Sequence, residues 1–332
     1  MKFYFFLFLL FFAASACNEA TKQVGAQKSF PKEIRQVSNQ IEKTPTDAKL
    51  FFLRADLYRQ IDEDSLAFLD LLKTVSLDSS QSNYFSAIGD FLFDKKDIAA
   101  SVKWFKKAID INPSDEISHL KMANLFLYTK DYPKAFAEIN AVLRQNVYNA
   151  EAYFIKGLCY KDMGETDRAI SSFQTAVQTE PAYYDGFIQL GILYAKKKDP
   201  LALQYFDNAI QLDSFNYEGH YAKGMFYQNQ KKYEEAKKVF KNAIRIDKNY
   251  AEAHYNIGWM LLQQDSNAKA IREFDRVLSL DPDNARAYFN RGLNQEILGK
   301  FKEAKEDYEQ ALIFDPEFDL PTTALERVKK NL

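Results

Sequence analysis

AEAHYNIGWMLLQQDSNAKAIREFDRVLSLDPDN, from Ala251 to Asn284, holds two apolar helical stretches joined by a polar turn. Small residues stand at Gly258 and Ala270, an aromatic at Phe274, a medium-sized residue at Val277 and a proline at Pro282. Side chains of one methyl or less let two helices pack closely where they cross. Proline ends a helix because it lacks an N–H and its ring clashes with the preceding turn. The stretch therefore reads as one pair of helices. Its glycine recurs as Gly157, Gly191, Gly224, Gly258 and Gly292, at spacings of 34, 33, 34 and 34 residues. A second small column runs through Ala67, Ala135, Ala169, Ala202, Ala236, Ala270 and Ala304, and an aromatic one through Phe173, Phe206, Phe240, Phe274 and Tyr308. Self-similarity at this period marks a solenoid, in which each helix pair buries its apolar face only by stacking on its neighbours.

On these residues the 251–284 stretch closely resembles the tetratricopeptide repeat. The register extends to eight units: 48–81, 82–115, 116–149, 150–183, 184–216, 217–250, 251–284 and 285–318. The fifth is one residue short around Lys197 to Pro200, in a turn, where a deletion is tolerated. Ala55 and Ala123 replace the crossing glycine and Ser101 the second-helix alanine, all still small, while Ser79, Val147, Ser214 and Lys248 stand where the closing proline is due. The fold class is all-α. The resemblance implies a right-handed superhelix with capping helices at both ends, whose first helices line a concave groove.

The flanks read as caps. In segment 31–47, Ile34, Val37 and Ile41 share one helix face able to cover the first unit; in 319–332, Leu325, Val328 and Leu332 form a stripe on a last helix. A polar outer face keeps a solenoid soluble, and Glu326, Arg327, Lys329 and Lys330 supply one.

In residues 1–16, Lys2 is followed by the apolar run FYFFLFLLFF and then small residues up to Cys17. A membrane span needs about 20 apolar residues, so this shorter run reads as a signal peptide and the chain as exported. Ala14-Ser15-Ala16-Cys17 resembles a bacterial lipobox, which implies lipidation of Cys17; Ala14-Ser15-Ala16 also fits an ordinary cleavage site. Segment 17–30 is then a lipidated cysteine followed by a polar tether. The expected address is the bacterial cell envelope, at the outer membrane, facing the periplasm or the cell surface.

Forty-four basic and 46 acidic residues leave a net charge of −2, which gives no electrostatic footprint for nucleic acid. Lys231, Lys232, Lys237, Lys238 and Lys241 read as a solvated helix face. Cys159, the only cysteine after Cys17, lies in an apolar helix and reads as a small buried hydrophobe. No phosphate loop, dinucleotide fingerprint, zinc-protease or nucleophile-elbow motif occurs. His220 and His254 occupy equivalent positions on successive units, roughly 8–10 Å apart by helix packing, whereas zinc holds its ligands within about 2.1 Å. No catalytic residue, cofactor or metal is expected.

Arg54 and Arg291 each precede a crossing small residue, and an acid follows sixteen residues later in both units, Asp70 and Asp307. We read structural ion pairs between the two helices of a unit. The register just after the crossing residue carries Asp56, Asp90 and Asn124, then Ile192, Met225, Trp259 and Leu293; the register four earlier carries Ile188, Tyr221, Tyr255 and Phe289. The implied groove thus passes from a polar end to an apolar one, with Asn256 and Asn290 among its partner-binding residues. The expectation is a non-catalytic, lipid-anchored interaction scaffold that binds a protein or peptide at Trp259 and its neighbours. A carrier for a lipid or another hydrophobic small molecule is the alternative.

Overall fold

The computed structural model describes residues 30–332; the signal peptide, Cys17 and the tether expected from the sequence lie outside the described residues. Every regular element described is an α-helix: α1 Lys32–Lys43, α2 Ala48–Arg59, α3 Asp64–Leu77, α4 Ser82–Asp94, α5 Ile98–Ile111, α6 Glu116–Tyr128, α7 Tyr132–Gln145, α8 Ala150–Asp162, α9 Thr166–Thr179, α10 Tyr184–Lys196, α11 Leu201–Leu212, α12 Tyr217–Asn229, α13 Tyr233–Ile246, α14 Ala251–Gln263, α15 Asn267–Leu280, α16 Ala285–Ile297, α17 Phe301–Phe314 and α18 Asp319–Lys329. The fold is an all-α solenoid of the tetratricopeptide kind, with eight helix pairs between α1 and α18. The chain divides into two compact units between Leu125 and Phe126, within α6.

Turn chemistry sets the register. Asp62, Lys96, Lys130, Gly164, Lys198, Lys231, Asp265 and Gly299 all have positive φ, one in the turn inside each helix pair. Each lets the next residue donate its N–H back across the helix end, as Glu63 does to the Tyr58 carbonyl at 2.9 Å and Ser266 to Leu261 at 2.8 Å. This is the left-handed helix stop in which glycine is the least strained residue, yet six of the eight turns spend Asp or Lys there.

The four unit ends without proline still stop. Asp78, Asn146, Asp213 and Asp247 each accept the backbone N–H two residues on, at 2.9, 3.1, 3.0 and 2.9 Å. Asn112 and Asp315, which stand before Pro113 and Pro316, accept in the same way at 3.1 and 3.3 Å, so the side chain makes this turn with or without the proline.

Within each pair, the crossing residue and the wedge are matched in size. A Cβ built on Gly89, Gly157, Gly191, Gly224 or Gly292 would come within 2.9 Å of the ring of Phe105, Phe173, Phe206, Phe240 or Tyr308. Where Ala55 stands instead, the residue sixteen further on is the smaller Leu71, and the two share one buried cluster. Ser101, in the alanine column, is fully buried and donates Oγ–H to the Gly89 carbonyl at 2.7 Å. Cys159 is buried too, and burial pushes its thiol up to about 11.

In the first unit, Ile34, Val37 and Ile41 of α1 are buried, and α1 packs on α2. In the second, α18 packs on α16 and α17 through Pro321, Ala324, Leu325 and Val328. Leu332, placed by the sequence on the same stripe, lies past the helix end and is exposed: a helix that stops at Lys329 cannot aim it inward.

Candidate functional site

In the second unit, the first helices of successive pairs are tied to one another by side chains. Tyr184 Oη accepts the Gly219 N–H at 3.1 Å, Asn256 Nδ2 donates to Tyr221 Oη at 3.2 Å, and Asn290 Nδ2 donates to Tyr255 Oη at 2.9 Å. Both asparagines also close onto their own helix, at the Glu252 and Arg286 carbonyls, 2.9 and 2.8 Å away. At 8% and 9% exposure their amides are spent inside the stack. They are not groove contacts, which corrects the sequence reading.

The register of Ile188, Tyr221, Tyr255 and Phe289 divides. Ile188, 1% exposed, belongs to a core cluster with Phe206 and Phe226 and does not line a groove. Tyr221 packs on Phe240 and Tyr250, Tyr255 edge-on against Phe274, and Phe289 against Tyr308 and Phe318, each ring remaining partly exposed. The register of Ile192, Met225, Trp259 and Leu293 stays open. Ile192 is 41% exposed; Met225, Trp259 and Leu293 are half-buried, and Trp259 rests edge-on against Tyr233 with ring centroids 6.3 Å apart. Four equivalent positions on successive first helices therefore offer large apolar surface that the stack leaves incompletely covered.

In the first unit, Asp90 and Asn124 come together around a cavity of about 470 Å³ that also takes in Arg59, Phe93, Asp94 and Lys121. Lys121 Nζ lies 3.2 Å from Asp90 and Arg59 Nη2 2.8 Å from Asp94. Burial pushes the Asp90 carboxyl up, against the pull of Lys121. Asp56 stays outside this cavity, exposed and accepting from Gln60 at 3.0 Å. The cavity is thus charge-balanced rather than acidic. Residues three and four apart share a helix face, so Phe93 and Asp94 were legible from Asp90; Arg59 and Lys121 come from neighbouring helices and were not.

The two arginine and aspartate pairs meet. Arg54 Nε and Nη2 donate to Asp70 Oδ2 and Oδ1 at 2.6 and 2.8 Å; Arg291 Nε and Nη2 donate to Asp307 at 2.8 and 2.6 Å. Each guanidinium is held more firmly protonated than usual, chiefly by those hydrogen bonds. Arg291 has a further partner the sequence did not reveal, Asp275 at 2.7 Å, on the second helix of the preceding pair. Lys223 reaches back in the same way to Asp207. Among the described residues no group of three or more acids, histidines or cysteines is arranged to hold a metal ion; His254 Nδ1 instead bonds Glu273 Oε2 at 2.8 Å.

Family models described as tetratricopeptide repeat match residues 229–290, 285–318, 83–115 and 150–183. Tetratricopeptide repeats are present in this chain. A tetratricopeptide repeat protein from Parabacteroides merdae superposes with a TM-score of 0.54 at 15% identity, over 75% of this chain and 98% of that one. The APC/C hetero-tetramer Cut9-Hcn1 superposes with a TM-score of 0.55 at 16% identity, over 89% of this chain and 58% of that one. At these identities the likeness is one of fold. Among curated proteins, the DnaJ protein P58IPK homolog of Arabidopsis thaliana is 22% identical over 52% of this chain and 38% of its own length. The chain spans under half the length of the curated relatives it matches.

Proposed function

We propose that the protein is a non-catalytic interaction scaffold, exported and held to the bacterial envelope through a lipidated Cys17, that binds a peptide segment of a partner protein along the first helices of its second unit. The open apolar register of Ile192, Met225, Trp259 and Leu293 carries this reading, with the partly exposed Tyr221, Tyr255 and Phe289 one helical turn away on the same helices. Proteins built on such repeats bind protein or peptide partners, and the Cut9-Hcn1 hetero-tetramer is an assembly containing this fold. A large aromatic at the centre of an interface dominates its energetics, and truncating one costs about 2 kcal/mol or more of binding.

The test compares Trp259→Ala with Gly258→Leu. The first should lose the partners captured from membranes by the lipidated wild-type protein while melting almost normally. The second should melt early, because overpacking the crossing costs about 1–3 kcal/mol. If Trp259→Ala melts as badly as Gly258→Leu, the tryptophan is core and the reading fails. Intact mass of the native protein tests the anchor separately: a mature chain that begins at Cys17 without added lipid mass refutes it.

A further inference from the structure

On another face of the second unit, α13 and α15 flank α14 around a cavity of about 420 Å³. Lys237, Lys238 and Lys241 enter it from α13, and Lys269 and Arg272 from α15. Ile257 and Leu261 of α14, only 3% and 9% exposed, form its apolar floor. These two are four residues apart on one face of the helix. Trp259 is two residues from each, about 200° around at 3.6 residues per turn, so the cavity and the open apolar register face opposite ways from α14.

The charge in this cavity is unbalanced. Two carboxylates reach it, Glu234 and Glu273, and both are engaged: Glu234 by Lys237 at 2.6 Å and Gln264 at 3.2 Å, Glu273 by His254 at 2.8 Å. Lys238, Lys241, Lys269 and Arg272 are exposed, and among the described residues no carboxylate lies within ion-pair distance of them. Five cations thus stand against two acids in a chain whose net charge is −2. The lysines read from the sequence as a solvated helix face are in part the wall of a recess.

We propose that this cavity is a second docking site, independent of the Trp259 face, for an acidic peptide segment of a partner protein that sets one aliphatic side chain on Ile257 and Leu261 between flanking carboxylates. Clusters of Lys and Arg recognise acidic motifs through charge-assisted hydrogen bonds. The recess favours a peptide over an anionic membrane. A bilayer surface would meet the protruding amines and stop there, whereas a side chain standing out from an extended segment reaches the apolar floor.

The test uses the full mature protein and three labelled, end-blocked peptides followed by fluorescence anisotropy: Glu-Glu-Leu-Glu-Glu, Glu-Glu-Ser-Glu-Glu and Lys-Lys-Leu-Lys-Lys. The leucine peptide should bind, the serine peptide about tenfold more weakly, a difference of about 1.4 kcal/mol, and the lysine peptide not at all. Lys238→Glu with Lys241→Glu, and separately Lys269→Glu with Arg272→Glu, should each lose at least about tenfold at unchanged melting, since all four side chains are exposed. Trp259→Ala should bind as wild type. No binding of the leucine peptide, equal binding of the serine peptide, full binding by the charge-reversed proteins, or loss in Trp259→Ala would each overturn the proposal. So would co-sedimentation with phosphatidylglycerol vesicles that displaces the peptide, which would make the cavity a membrane contact.

Discussion

Asn290 Nδ2 and Tyr255 Oη, 35 residues apart in sequence, lie 2.9 Å from each other across two successive first helices, and Asn256 repeats the relation with Tyr221 one unit earlier. A buried amide with two partners belongs to the stack. Asn290→Ala should therefore lower stability by about 1–3 kcal/mol, the cost of leaving buried polar groups unpaired, with little effect on partner affinity. Chemical denaturation and a binding assay on the same variant check it. Normal stability with lost binding would return the asparagine to the groove.

The two arginine pairs should respond differently to loss of their acids. Arg291 keeps the Asp275 carboxylate when Asp307 is removed, whereas Arg54 keeps only uncharged neighbours, the Ser38 hydroxyl at 3.1 Å and the rings of Phe51 and Tyr58. Breaking a buried pair costs about 3–5 kcal/mol when it leaves a charge uncompensated. Asp70→Ala should thus approach that range and Asp307→Ala fall well below it. Removing Arg291 instead strands Asp307, whose carboxyl burial already pushes up, so that carboxyl should take up a proton rather than stay charged. A thermal double-mutant cycle that finds Arg291 and Asp307 strictly additive would show no interaction.

Glu296 fastens the last helix. It accepts from Arg327 Nη2 at 2.7 Å and Tyr308 Oη at 2.6 Å, and the hydrogen bond from Arg327, chief among the causes, holds its carboxyl below the usual range. A folded pKa below the unfolded one gives stability that is present above the unfolded value, about 4.3, and lost as pH falls through the folded value. Protection of the α18 amides, taken relative to their intrinsic exchange rates at each pH, should fall as pH drops through the folded value, and Glu296→Gln should remove this pH dependence. Protection in α18 that is unchanged down to the global unfolding transition would contradict it.

The crossing glycines should rank by the space each has. A Cβ on Gly191 would lie 2.4 Å from the buried Phe206 ring, one on Gly258 3.1 Å from Phe274. Gly191→Ala should cost about 1–3 kcal/mol through overpacking and Gly258→Ala clearly less. Equal losses in calorimetry would mean that the Phe206 ring moves freely.

The period of the small residues, the helix pairs and their ends were determined by sequence alone, because helix crossing, wedge size and turn chemistry act over a few residues and repeat in each unit. Gly157, Gly191, Gly224, Gly258 and Gly292 needed no coordinates to mark where helices touch. The Arg54 and Asp70 pair was equally legible, since a spacing of sixteen joins the two helices of one unit. Tertiary structure decided which way the neighbouring registers face. Ile188 and Ile192 are one helical turn apart and alike in chemistry, yet one is sealed under Phe206 and Phe226 and the other is open. Asn256 adjoins Tyr255, and only the position of the preceding helix puts Tyr221 within its reach. The same holds for the cavities: Lys121 meets Asp90, and Lys269 and Arg272 join the lysines of α13, because stacking sets side by side residues that sequence separates by about one repeat. Local propensity places a residue on its helix, and packing between helices sets what that residue meets.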